Sequence, residues 1–168
     1  YPFKVRYKAV NLKNYLEIEQ ERFKKKFSED NRTVMLIGGA GYIGLVVANL
    51  LLSKGIKVIV CDNFIYSHEH YIYPFLLRKN FKLEKFDIRN SLDGYLSKNN
   101  VTDVVILSGL VGDPITKKYP ELSKIINGES TRRIYNECNN NNINKVIFIS
   151  TCSNYGLIKN NQLANENH

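Results

Sequence analysis

Cysteine is scarce in this chain: Cys61, Cys138 and Cys152 are its only three, an odd and scattered set with no CxxC pair. That argues against a disulfide framework or a cysteine-based zinc site, and it fits a reducing compartment. No apolar run reaches membrane-spanning length and no signal-peptide pattern opens the chain. The expectation is therefore a soluble, cytoplasmic protein with no membrane partner. His68-Glu69-His70 lacks the HExxH spacing, so it reads as a solvated loop and no metal site is expected. Methionine occurs once, as Met35 inside an aliphatic run, and the chain opens on Tyr1-Pro2. Residue 1 is accordingly not expected to be the native start, and the chain reads as a fragment or a processed product.

Acidic residues are the minority, 16 against 24 lysines and arginines, for a formal net charge of +8. Such an excess draws anions in general. Much of it falls in the first 30 residues, where Lys24, Lys25 and Lys26 form a short run. No stacking aromatics are interleaved with it, so it reads as a solvated helix face and no nucleic-acid partner is expected. The asparagines at 139 to 142 read as a polar helix end and loop.

What is present is concentrated in residues 34 to 44, Val-Met-Leu-Ile-Gly-Gly-Ala-Gly-Tyr-Ile-Gly. An aliphatic run stops in glycines and an apolar helical pattern, Leu45 to Leu52, follows at once: strand, tight turn, helix. Gly38, Gly41 and Gly44 stand three residues apart. Gly38 permits the turn, Gly41 lets backbone approach a pyrophosphate, and Gly44 lets helix and strand pack closely. The helix N-terminus offers N–H groups and a positive dipole end to the phosphates. A second β run, Ile56 to Cys61, ends in Asp62-Asn63. An acidic residue about 20 positions past the glycines is placed to accept hydrogen bonds from an adenosine ribose and to repel a 2′-phosphate, which favours NAD over NADP. The plainer alternative is that Asp62 only caps the strand end.

The rest of the chain repeats the alternation. Leu12, Tyr15, Leu16, Phe23 and Phe27 outline an amphipathic helix, so residues 1–32 are expected to be a helical extension before a domain over 33–168. Within that domain strands are expected at Thr33–Ile37, Lys57–Cys61, Phe81–Phe86, Val104–Leu107 and Lys145–Ile149, the last two as buried strands. Helices are expected at Tyr42–Lys54 and from about Pro120 to Asn139, with a short one capped by Ser91 and running to Leu96. A loop or short helix fills Asn63 to Arg78. This pattern predicts an α/β fold, a Rossmann-type doubly wound parallel sheet, with ligands beyond the carboxyl ends of its strands.

Taken together, these residues resemble the extended short-chain dehydrogenase/reductase family, the NAD-dependent epimerases and dehydratases of nucleotide sugars, from about Thr33 to His168. The glycine loop through Gly38, Gly41, Tyr42, Ile43 and Gly44 is close to that family's. Asp62 and Asn63, with Phe64 beside them, look like its ribose-binding residues, and Asp87-Ile88 like its pair beside the adenine. Leu107, Ser108, Gly109, Leu110 and Val111 resemble the segment along the cofactor's far half. Asn127 with Ser130-Thr131 is similar to its Asn-x-x-Gly-Thr motif, with Ser for Gly. Ser150 to Gly156 looks like Ser-Ser-x-x-x-Tyr-Gly. The resemblance implies NAD as cofactor, a nucleotide-sugar substrate in the full-length enzyme, a homodimer, and hydride transfer at a sugar hydroxyl that Thr151 contacts. A hydroxyl at a strand end is rigid and can donate to an oxygen gaining negative charge.

Two departures qualify this. Where family dehydratases carry an acidic pair just after the hydroxyl, this chain has Cys152 and Ser153. Dehydration lacks its acid and base there, which favours epimerisation or simple oxidoreduction. Cys152 reads as a small packed side chain, with no partner histidine to make it a nucleophile. The family's Tyr-x-x-x-Lys is also not found by His168. Tyr155 to Lys159 has that spacing but belongs to the preceding motif, so this chain alone is expected to be inactive. Two readings remain: the cofactor-binding part of a nucleotide-sugar epimerase or related oxidoreductase, or a non-catalytic NAD-binding or regulatory module.

Overall fold

The computed structural model describes residues 32 to 151 and residue 156. The amphipathic pattern of the N-terminal extension, and Cys152, Ser153, Tyr155 and Lys159, lie outside the described residues. Five strands form one sheet: β1 (Thr33–Ile37), β2 (Lys57–Asp62), β3 (Phe81–Lys85), β4 (Asp103–Ile106) and β5 (Lys145–Phe148). Their order is β3-β2-β1-β4-β5, and every pair is parallel. The chain winds outward from β1 through β2 and β3, then returns to the other side of β1 with β4 and β5. That reversal opens a crevice between the carboxyl ends of β1 and β4. The expected doubly wound parallel sheet is thus observed.

The apolar runs exist because both faces of the central strands are covered. Side chains alternate between faces with period two. Met35, Ile37, Ile59, Cys61, Val104 and Ile106 meet Leu92, Leu96, Ile126 and Ile134 on one side. Val34, Leu36, Val58 and Val60 meet Ala40, Ala48, Leu52 and Ile72 on the other. Met35 and Leu36 are wholly buried, neighbours on opposite faces. Polar residues close the opposite edge of the sheet. Arg32 donates through Nη2 and Nε to the two carboxylate oxygens of buried Asp103, at 2.6 and 3.1 Å, and the Thr102 hydroxyl donates to Oδ2 at 2.7 Å.

Helix α1 is Tyr42–Ser53, α2 is Tyr95–Lys98, α3 is Asp113–Lys118, α4 is Pro120–Ser123 and α5 is Thr131–Asn140. A 3-10 turn covers Glu69–Phe75, and a π-helical segment, Lys124–Ser130, joins α4 to α5. Four expectations need correction. The short helix starts at Tyr95, not behind Ser91. Gly94, at φ +72°, precedes it, while the Ser91 hydroxyl donates to Glu137 Oε1 at 2.7 Å. The loop after β4 contains α3, started by Asp113 and Pro114, residues that favour a first helical turn. The long helix from Pro120 is interrupted by the π segment. Lastly, β5 is no buried strand. It closes one side of the described sheet and pairs only with β4, leaving Ile147, Phe148 and Ile149 about half exposed. Among the described residues, no helix is long and apolar enough to cross a membrane.

Candidate cofactor site

Gly38 ends β1 at φ +77°, a left-handed conformation that a Cβ disfavours. Its N–H donates to Cys61 O at the end of β2, at 2.7 Å. A Cβ there would stand 2.6 Å from Ser108 Cα and N, so only glycine lets β1 and β4 close this side of the crevice. Gly44 has a similar need one helical turn on. Its Cβ would lie 2.4 Å from Gly39 O, which lets α1 sit directly on the turn. Gly41 differs. It stands before α1 at φ −70° and ψ 169°, and a Cβ would meet nothing nearer than Gly38 O at 3.5 Å. Folding therefore places no demand on Gly41. Behind it the first turn of α1 has no acidic residue and no side-chain cap, and Tyr42 and Ile43 project outward, 84% and 40% exposed. A helix N-terminus in this state presents N–H donors and a positive dipole end.

Asp62, at the end of β2, is buried with its carboxylate turned to the glycine loop. Oδ2 accepts the Ala40 N–H at 3.0 Å and Oδ1 accepts the Phe64 N–H at 2.9 Å. The second contact closes a tight turn in which Phe64 takes φ +57° and Asn63 Oδ1 accepts the Ile65 N–H at 3.2 Å. Each carboxylate oxygen retains a lone pair for a further donor. Asp62 therefore both fastens the strand end and offers acceptors beside the glycine loop. The neighbouring Cys61 thiol is pushed up to about 12, first by burial and then by the nearby Glu84 carboxylate, which keeps it protonated and inert.

Beyond β3, Asp87 is held by Arg89. Arg89 N–H and Nε–H donate to Oδ1, each at 2.9 Å, and Nη2–H donates to Oδ2 at 2.6 Å. Chiefly through the Arg89 side chain, the Asp87 carboxyl is lowered to about 2. Ile88 is buried beside it. Beyond β4, the Leu107 and Ser108 N–H groups both donate to Ile37 O, at 2.8 and 3.0 Å, tying that segment to β1. The Ser108 hydroxyl is buried without a hydrogen-bond partner. Val111 is exposed.

Asn127 lies in the π-helical segment and grips the backbone of Leu110. Its Oδ1 accepts the Leu110 N–H at 2.8 Å, and its Nδ2 donates to Leu110 O at 2.9 Å and to Ser123 Oγ at 3.1 Å. Both amide hydrogens are thus engaged within the protein, and Asn127 shapes the Gly109–Val111 segment through its backbone. Ser130, where the resembling motif has glycine, is fully buried. Thr151 lies exposed three residues past β5. His68 sits by the rings of Phe64 and Tyr66, at 6.0 and 6.2 Å between centroids. A small cleft of about 120 Å³ between β3 and α2, lined by Cys61, Phe86, Leu92 and Tyr95 among others, contains no glycine-loop residue. Sequence reasoning missed Arg133 and Glu137, whose side chains hold the loop after β3. Their spacing of four on one helix was the available signal.

A glycine turn after β1, an acidic residue ending β2, and a sheet that reverses at β1 define a Rossmann-type dinucleotide-binding domain. The model of the NAD dependent epimerase/dehydratase family matches residues 34–167. The chain belongs to that family. It is 31% identical over 127 residues to the UDP-glucose 4-epimerase of Rhizobium leguminosarum bv. trifolii, covering 74% of this chain and 37% of that one. The UDP-glucose 4-epimerase of Thermus thermophilus, solved with NAD, superposes with a TM-score of 0.69 at 22% identity, over 80% of this chain and 43% of that one. The UDP-N-acetylglucosamine 4-epimerase of Methanobrevibacter ruminantium M1, solved with UDP-N-acetylmuramic acid, gives 0.68 at 27%, over 81% and 43%. The chain therefore spans less than half the length of these relatives.

Proposed function

We propose that this chain is the NAD-holding part of a nucleotide-sugar epimerase. The carrying observation is the buried Asp62 carboxylate, pinned by the Ala40 and Phe64 N–H groups against the glycine loop. The donor set fits a dinucleotide in three further respects. Gly41 is a glycine with no internal reason to be one, the first turn of α1 is uncapped, and the buried Ser108 hydroxyl has no protein partner. Asp62 accepts from the adenosine ribose, the loop from Gly38 to Gly44 meets the pyrophosphate, and Asp87 with Ile88 borders the adenine. The segment from Leu107 to Val111, held by Asn127, borders the far half. In the full-length enzyme the bound cofactor would supply an acceptor for a hydride from the sugar carbon that bears the hydroxyl. Thr151 donates to that hydroxyl's oxygen as charge builds on it. Cys152 and Ser153 offer no carboxylate for water loss, which supports epimerisation over dehydration.

The experiment is calorimetric titration of the chain with NAD and with NADP. NAD binds, and NADP binds at least roughly tenfold more weakly because its 2′-phosphate meets a like charge. Replacement of Asp62 by Ala weakens NAD by about 1.5–3 kcal/mol, the range for hydrogen bonds to a charged group. Equal affinities, or tighter NADP binding, remove Asp62 from this role.

A further inference from the structure

We infer that Arg133, on α5, is a positioning residue that gives the site its preference for adenine by fixing the peptide between Ile88 and Arg89. The inference rests on the reading above that Asp87 and Ile88 border the adenine. The loop joining β3 to α2 is tied to itself and to β2: Phe86 N–H reaches back to Asp62 O and Asn90 N–H to Asp87 O, each at 2.9 Å, Arg89 grips the Asp87 carboxylate, and Asp93 N–H donates to Ser91 Oγ at 3.0 Å. A second set of restraints comes from one turn of α5. Arg133 Nη2 donates to Ile88 O and, at 2.8 Å, to Asn90 O. Glu137, four residues on, accepts the Ser91 hydroxyl on Oε1 at 2.7 Å and the Leu92 N–H on Oε2 at 2.9 Å. Arg133 Nε lies 3.5 Å from Glu137 Oε1, an ion pair without hydrogen-bond alignment. Residues four apart share a helix face, so both side chains reach the same loop.

Their chemistries are complementary. The guanidinium has only donors and takes the carbonyls of residues 88 and 90. The carboxylate has only acceptors and takes the O–H and N–H of residues 91 and 92. A one-residue slip would set donor against donor, so the pair fixes the loop's register. The consequence for the site runs through a single peptide group. Its oxygen, Ile88 O, is held by Arg133. Its N–H, on Arg89, donates to Asp87 Oδ1 at 2.9 Å. Arg133 thereby orients the peptide whose N–H, together with the Arg89 side chain, orients the Asp87 carboxylate. A carboxylate held beside the ring accepts from the exocyclic amine of adenine and is repelled by the carbonyl oxygen that hypoxanthine carries there.

The test is calorimetric titration of the chain, and of its Arg133→Ala and Arg133→Lys variants, with NAD, nicotinamide hypoxanthine dinucleotide and NADP. The unaltered chain prefers NAD to the hypoxanthine analogue by about tenfold or more, and Arg133→Ala brings that ratio below about threefold. Arg133→Lys keeps a donor within reach of the carbonyls and gives an intermediate ratio, which also serves should the alanine variant not fold. In both variants the preference for NAD over NADP stays at the unaltered value, because Asp62 is untouched. General damage to the site would lower both preferences together, and that outcome overturns the inference. So does an adenine preference that survives in Arg133→Ala. If the unaltered chain itself fails to distinguish the two rings, the placement of Asp87 and Ile88 beside the adenine falls, and this inference with it.

Discussion

Alanine at Gly44 and at Gly41 separates two demands that the glycine loop meets at once. At Gly44 the new Cβ would lie 2.4 Å from Gly39 O and 2.6 Å from Gly39 C and Cα. All three are backbone atoms of a turn anchored to Cys61 O through the N–H groups of Gly38 and Gly39. No side chain can rotate to relieve the overlap, so α1 must lift from the turn. Overpacking costs about 1–3 kcal/mol, here at the upper end, and the better helix propensity of alanine returns about 1 kcal/mol. A net loss of about 2 kcal/mol lowers Tm by roughly 4–8 °C in a chain of this size. At Gly41 the backbone is one that any residue adopts, and the new Cβ stays 3.5 Å from its nearest neighbour. Stability there is unchanged or rises by about 0.4–1 kcal/mol as the unfolded chain loses freedom. The same methyl group stands where the pyrophosphate must approach, so NAD affinity falls at least roughly tenfold. Far-UV circular dichroism melts and calorimetric titration with NAD read the two effects. Gly41→Ala melting as low as Gly44→Ala, or binding NAD as the parent does, refutes this division of roles. So does Gly44→Ala melting with the parent.

Two further outcomes follow from the ion pairs. Removing the guanidinium with Arg32→Ala leaves Asp103 buried at the foot of β4 with only the Thr102 hydroxyl of its two described side-chain donors. This costs about 2–4 kcal/mol, below the full range for a buried pair because Arg32 is partly exposed, and a urea melt with an unchanged midpoint would refute it. At Asp87 the carboxyl is depressed from 3.8 to about 2, first by the Arg89 side chain. Its contribution to stability is therefore present above pH 3.8 and lost as the pH falls toward 2. Arg89→Ala returns the Asp87 midpoint toward 3.8 in a carboxyl-carbon NMR titration, and a midpoint that stays near 2 shows that another group sets it.

The glycine loop, its spacing to Asp62, and the strands β1, β2 and β4 were all legible in the order of the amino acids. Those features are local. A turn at φ +77° favours glycine wherever it occurs, and a strand covered on both faces is a nearly continuous apolar run. Edge position is not local. Val146-Ile147-Phe148-Ile149 would read the same at the centre of a sheet, and it is the order of the described strands that leaves it half exposed. Ser91 has the side chain of a helix cap, but its hydroxyl goes to Glu137, 46 residues away, because α5 packs over that loop. Asn127 is legible as a polar residue of a helix, yet its grip on Leu110 depends on a π-helical turn and on the return of the chain from β4. The hold of Arg133 on Ile88 is hidden in the same way. Hydrogen bonds between residues 45 positions apart leave no periodicity in the sequence, and only the packing of α5 against the loop after β3 brings those groups within reach.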